Sequence, residues 1–533
     1  MKMHSRLWAL LLAAVLLVGL VPGAVAETAE RETVTIGLAM NVNVEDYDTN
    51  AFTLYLEDYF DIDVEFLLFE DINQKLPVMI SSGSELPDMI LHNLDNASVI
   101  NWTSQGVFLP LTEYWNNPEM TKNFDAGLNS PQLKQQILSS ITMPDGEIYT
   151  LPSYDENMWN LRKFRMWMNM EWLDKLGLEE PTTLDEFSNV LRHFVNDDPN
   201  GNGIKDEVGL TGCTSTYGCN PIIWMMNAFI HTNPDNIYMN VENGKVIPAF
   251  TQAAYKAGLE YIHGLYKEGL IDPLGFTQDQ TQMRAIINGE EMLCGFVAAG
   301  GVTHFQGELA DVYSIIAPVT GPEGVRLTAT SEGGSTPRVF ITTYAENPEL
   351  CFKIAEIQYD TYWRYRARLG VEGENWTDDP EVLAKWMGPY DAVGGKPSLV
   401  LLNDVWGKPQ NVNWGDENLP FISTQVGVMT GAASKERTPE NEGYVSNEAV
   451  HYQKYMDCAP AELLGALVHT EEESEIVAAT QPAIKSYVEE MNMAFITGSR
   501  SFDQWDAFQQ ELLAMGLEDY VSALQAAYDR KTK

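Results

Sequence analysis

Between Asp198 and Glu207 the chain reads Asp-Pro-Asn-Gly-Asn-Gly-Ile-Lys-Asp-Glu. Side-chain oxygens fall at the first, third and fifth positions, and Gly203 takes the sixth, where a sharp turn is needed. This is the first half of an EF-hand-type calcium loop. Calcium takes roughly six to eight hard oxygen ligands. Asp198, Asn200 and Asn202 supply side-chain oxygens, and Ile204 supplies its backbone carbonyl. The twelfth position is Gly209 rather than Glu, so Asp206 and Glu207 must close the shell. The competing reading is an Asn/Gly-rich turn without metal. Nothing in the run opens toward a substrate, so a bound Ca2+ is expected to be structural.

The aromatic residues offer a second chemistry. A sugar face is a patch of C–H bonds ringed by hydroxyls. It binds to a flat ring laid on the patch, with fixed polar groups aimed at the hydroxyls. The chain has 13 Trp and 23 Tyr. Most must build the core, and those in loops at element edges are the candidates. Tyr154, Asp155 and Trp159 follow Pro152, and Trp224 follows the Cys219-Asn-Pro221 turn. Trp376 ends an irregular Gly-Glu-Asn-Trp run, and Trp406 and Trp414 each precede a glycine. No His-Glu-x-x-His or Gly-x-Ser-x-Gly run is present, and the eight His are scattered. We expect a binding protein without chemistry of its own. The alternative is a secreted glycoside hydrolase, whose carboxylate pair the 76 acidic residues supply by number. Peptides or other solutes are alternative ligands, and a surface adhesion module is a third reading.

The elements that must position these residues alternate. Val34–Met40, Val64–Leu68 and Asp88–Leu91 read as strands, separated by amphipathic helices over Asn50–Phe60 and Leu76–Ser82. That order argues for a mostly parallel sheet between helix layers. Ligands then sit beyond the carboxyl ends of the strands, which brings Asn41, Asn43, His92 and Asn93 to the edge of a cleft. Gly146–Pro152 reads as a crossing into a second lobe. Thr183 and Glu186 form a capping-box pattern. Pro348–Ala367 reads as one long helix, and Glu472–Phe495 as a helix broken at Pro482.

Composition sets the remaining bounds. Lys2 and Arg6 precede an apolar run, Leu7–Leu20, and Ala24-Val-Ala26 fits a cleavage site, so residues 1–26 read as a secretory leader. No Cys precedes Cys213, so no lipid-modification signal is read. The expected location is a periplasm or the cell exterior. A net charge of -43 repels nucleic acid and anionic membrane. It disfavours a polyanionic ligand unless local basic residues offset it. With 45% hydrophobic residues, a packed core is expected rather than disorder. Cys213 and Cys219 are near enough to close a small loop if oxidised, as an exported chain permits.

At this point the chain resembles a known family, the bacterial extracellular solute-binding proteins of family 1, which serve carbohydrate ABC importers. The resemblance rests on motifs in a shared order: Ser81–Ile90, Gly106–Thr112, Asp145–Pro152, Trp172–Leu178, Pro181–Phe187, Tyr266–Asp272, Phe495–Asp503 and Ala526–Arg530. It implies a type 2 periplasmic-binding-protein fold, an α/β architecture of two lobes joined by hinge strands around a cleft. It also implies capture of an oligosaccharide, delivery to ABC permease subunits and a monomeric state. The 198–207 loop resembles that of alginate-binding members. This assigns calcium ligands to Asp198, Asn200, Asn202, the Ile204 carbonyl, Asp206 and Glu207. The expected division is a leader over 1–26, a first lobe over 27–152 and a second lobe with the calcium loop over 153–315. A return to the first lobe follows over 316–370. Completion of the second lobe with the closing helices is expected over 371–533.

Overall fold

The computed structural model describes residues 31–532 except 129, 156, 215, 290–291, 307, 388–398, 404, 406–407, 416–418, 424–431, 434, 437 and 440–453. The leader expected over 1–26 and the candidate Trp406 lie outside the described residues. Among the described residues, no helix is long and apolar enough to cross a membrane.

In chain order the strands run β1 (Glu32–Ala39), β2 (Ile62–Phe69), β3 (Met89–Leu91), β4 (Leu151–Asp155), β5 (Met166–Asn169) and β6 (Val208–Thr211). There follow the hairpin β7 (Met239–Glu242) and β8 (Lys245–Pro248), then β9 (Cys294–Ala298), β10 (Tyr313–Ile315) and β11 (Gly334–Ile341). One six-stranded sheet has the order Ile422–Ser423, β4, β11, β3, β1, β2. Strand β1 is parallel to β2 and β3, while β11 runs antiparallel to β3 and β4. A second sheet has the order β10, β5, β9, β6. There β6 is parallel to β9, and β5 is antiparallel to both β9 and β10.

Each sheet is covered by helices whose buried faces recur at helical spacing. Asn50 caps Ala51–Phe60 by accepting from the Phe52 N–H, which turns Phe52 and Leu56 into the first core. Tyr59 of the same helix is exposed. The Thr183–Glu186 capping box forms as expected and starts Leu184–Asn196. That helix lays Phe187, Leu191 and Phe194 against the second sheet. The closing helices Glu471–Thr497, Trp505–Ala514 and Leu517–Lys531 join the same core. Asn96 of the first unit donates its buried amide to the Leu467 carbonyl at 2.9 Å, tying the two units behind the strands.

Five expectations change. The first unit keeps β4, so the chain crosses after Asp155 rather than at Gly146–Pro152. The return to the first unit expected from residue 316 comes only with β11, because β10 pairs with β5 inside the second sheet. Pro348–Ala367 is two helices, Pro348–Glu356 and Thr361–Leu369, because the Asp360 carboxylate accepts from the Tyr362 and Trp363 N–H groups and restarts the helix. The part of the chain after residue 370 expected to complete the second unit also supplies the first. Trp414 and Leu419 lie in its core, and Ile422–Ser423 extends its sheet. Pro482 does not break its helix, which runs unbroken from Glu471 to Thr497.

Candidate functional site

The two sheets bring specific chain ends together. Strands β1, β3 and β4 run the same way, so Asn41, His92 and Asp155 leave the first sheet at one edge. In the second sheet, β6 and β9 end where antiparallel β5 begins. Cys213–Cys219, Gly300 and Arg165 therefore share an edge. The crossing after Asp155 joins these edges, and its polar contacts are continuous. Asp155 accepts from the Asn157 N–H at 2.8 Å and the Asn160 amide at 2.7 Å. Tyr217 donates toward the Trp159 carbonyl at 3.3 Å and the Asn160 oxygen at 3.2 Å.

Trp159 is half-buried, and its ring carries the Arg165 guanidinium at 3.5 Å from the centroid. Arg165 is fully buried and donates to the Trp159 and Gly300 carbonyls. Tyr217 is exposed at the surface. Burial pushes the hydroxyl up to about 12, with Arg165 opposing and Asp155 adding. Across the first unit's edge, the Phe421 ring lies between Arg364 at 4.7 Å and Arg338 at 5.7 Å. His92 is half-buried and bonds Asn73 at 3.1 Å. Burial and the Arg338 charge hold its ring down to about 4, so it is neutral at physiological pH. Asn93 is exposed beside it.

The other aromatic candidates lie in the interior. Tyr154 is in the first core, and Trp414 donates its indole N–H to Thr53 at 2.8 Å. Trp224 packs on Phe187 and donates to the Tyr455 hydroxyl at 2.9 Å. Trp376 is packed against Tyr362 and Tyr365 and donates to the Gly370 carbonyl. A ring enclosed on both faces has none left for a sugar in this conformation. Each was offered on loop position alone, but Tyr154 lies in β4, Trp224 in the helix Pro221–Met226 and Trp376 in the short strand Trp376–Thr377. Tyr217 and Arg165 were missed. Their only signals were an aromatic–Gly pair in a polar loop and an Arg opening a buried strand. A depression of about 320 Å³ lined by Glu32, Phe60, Asp61 and Lys353 lies at the opposite, amino end of β1.

The 198–207 loop folds around its own oxygens. Asp198 accepts from the Gly201 N–H at 2.9 Å and the Gly203 N–H at 3.1 Å. Gly203 has φ +75°, a left-handed backbone suited to glycine. The Asn200 and Asn202 amides both reach Asp206, at 3.3 Å and 3.2 Å. Glu207 keeps one buried carboxylate oxygen without a hydrogen-bond partner. Its carboxyl is raised by burial and by the nearby Asp206 and Asp198 charges. An orphaned, charge-crowded carboxylate is what a divalent cation would satisfy, so the residues fit calcium. Among the described residues, no three His, Cys, Asp or Glu side chains converge closely enough to hold a metal alone. The fit therefore depends on amide and backbone oxygens as well.

Two α/β units whose strand ends meet at a chain crossing form a type 2 periplasmic-binding-protein fold, the architecture of a solute-capture protein. The bacterial extracellular solute-binding protein family matches residues 41–356, and the chain belongs to that family. A curated relative, the fructooligosaccharide ABC transporter substrate-binding protein FusA of Streptococcus pneumoniae serotype 4, is 26% identical over 476 residues, covering 86% of this chain and 83% of FusA. A structure described as a FusA EF-hand mutant in complex with fructo-nystose has a TM-score of 0.75 at 22% identity, covering 94% of this chain and 99% of that one. The alginate-binding protein AlgQ2, described as without calcium ion, has a TM-score of 0.71 at 21% identity, with the same coverage. These relatives are binding proteins. Two are described by reference to an EF-hand or to calcium.

Proposed function

We propose that this chain captures an oligosaccharide between its two lobes and delivers it to the permease subunits of an ABC importer. The observation that carries the reading is the Trp159–Arg165–Tyr217 group, set where both sheets' carboxyl edges meet. The Trp159 and Tyr217 rings offer apolar surface. Asp155, Asn160, His92 and Asn93 supply polar groups for hydroxyls. Tyr154, Trp224 and Trp376 act behind this layer as packing. The FusA likeness supports a fructo-oligosaccharide as the first ligand to test.

The chain acts outside the cytoplasm, as a monomer without chemistry of its own. Calcium binds at Asp198, Asn200, Asn202, Ile204, Asp206 and Glu207 and holds that loop of the second lobe together. The test is calorimetry with a panel of fructo-, galacturono- and manno-oligosaccharides, checked afterwards for cleavage. Binding without cleavage is expected. Cleavage products would instead favour the hydrolase reading.

A further inference from the structure

Cys213 and Cys219 flank the turn that presents Tyr217, and both are fully buried. The Cys213 N–H donates to the Cys219 carbonyl at 2.9 Å. The two side chains also face each other, the thiols standing within hydrogen-bonding reach, as a disulfide across a short loop requires. The Cys219 thiol donates to the Tyr217 carbonyl at 3.3 Å and lies 3.6 Å from His304 Nε2. The turn is wedged in place. Gly218 has φ +68°, and a Cβ there would strike the Lys163 carbonyl, while the Tyr217 ring lies against Gly300. None of the five cysteines is bridged in the structure.

We propose that Cys213 and Cys219 are a disulfide site, whose bond locks the 213–219 turn and so fixes Tyr217 against the lobe crossing. The oxidant is a small-molecule or protein disulfide. One cysteine thiolate attacks it, forms a mixed disulfide and releases the first leaving thiolate. The second cysteine then attacks the sulfur of the first and releases the second leaving thiol. Two S–H bonds become one S–S bond, and the oxidant is reduced to two thiols. Burial raises the Cys219 thiol well above its ordinary range, and both sulfurs are shielded. Exchange therefore belongs to folding, before the turn closes, rather than to the folded protein.

The test is to refold the full chain from denaturant with glutathione disulfide, and in parallel with reduced glutathione only. The expected product of the first is a chain lighter by two hydrogens. Digestion without reduction should yield a peptide pair joined through Cys213 and Cys219. Amide exchange over the turn should slow, and the melting temperature should rise by several degrees. Cys351→Ser should keep the linked pair, and Cys219→Ser should lose it. If both thiols still alkylate after oxidative refolding, or if the link maps to other cysteines or to glutathione alone, the proposal is overturned. No readout here uses a ligand, so a failure of the oligosaccharide reading would be seen separately.

Discussion

In the proposed site Trp159 supplies an aromatic surface that is neither core nor free, since its ring supports the buried Arg165 guanidinium. Trp159→Ala should weaken oligosaccharide binding tenfold or more, a change of about 1.4 kcal/mol. It should lower the melt only modestly, because a cation–π contact is worth about 0.5–2 kcal/mol. Trp414→Ala removes a ring that is 1% exposed and should cost about 3–5 kcal/mol of stability instead. Calorimetry and thermal melts on both variants separate the two behaviours. At the 198–207 loop, Glu207→Gln removes a charge crowded by Asp206 and Asp198. The variant should melt no lower than wild type in chelator and gain less from added calcium. An equal calcium gain in both proteins would remove Glu207 from the ligand set. The turn of this loop was legible because its oxygen side chains and Gly203 follow one another in sequence, so spacing alone encodes the turn. Tyr217 and Arg165 were not. Gly300 is distant from both in sequence, Trp159 is distant from Tyr217, and only the fold brings them together.

At the scale of elements, capping chemistry read better than helix length. Thr183 and Glu186 announced their box locally, and Thr183→Ala should cost about 1 kcal/mol, measured by denaturant melts. The apolar spacing over Pro348–Ala367 hid the Asp360 restart, because periodicity continues across a brief interruption. The edge behind β3 carries a pH signal. The folded state holds His92 neutral down to about pH 4, whereas an unfolded histidine takes its proton near pH 6.5. The His92 contribution is therefore complete above about pH 6.5 and is lost as pH falls toward 4. His92→Asn should flatten that limb of the stability curve by about 1 kcal/mol or more, followed by melts across pH. Equal limbs in both proteins would contradict the burial assigned to this ring.

At the scale of the molecule, the α/β alternation and the two lobes were legible from element order. The route of the chain was not. Trp414, Leu419 and Ile422 return to the first unit and complete its core and sheet edge. No local pattern states which of two similar cores an apolar segment will fill. The chain carries a net charge of -43, while Arg165, Arg338 and Arg364 lie at the edge of the proposed site. Salt should therefore act on encounter with charged saccharides more than on neutral ones. The central claim is that ligand contacts both lobes and so favours their closed arrangement. Small-angle scattering of the chain, titrated with fructo-oligosaccharides under calorimetric control, tests it most directly. The account predicts heat of binding together with a smaller radius of gyration at saturation. Binding with an unchanged radius of gyration, or no binding across the saccharide panel, would contradict it.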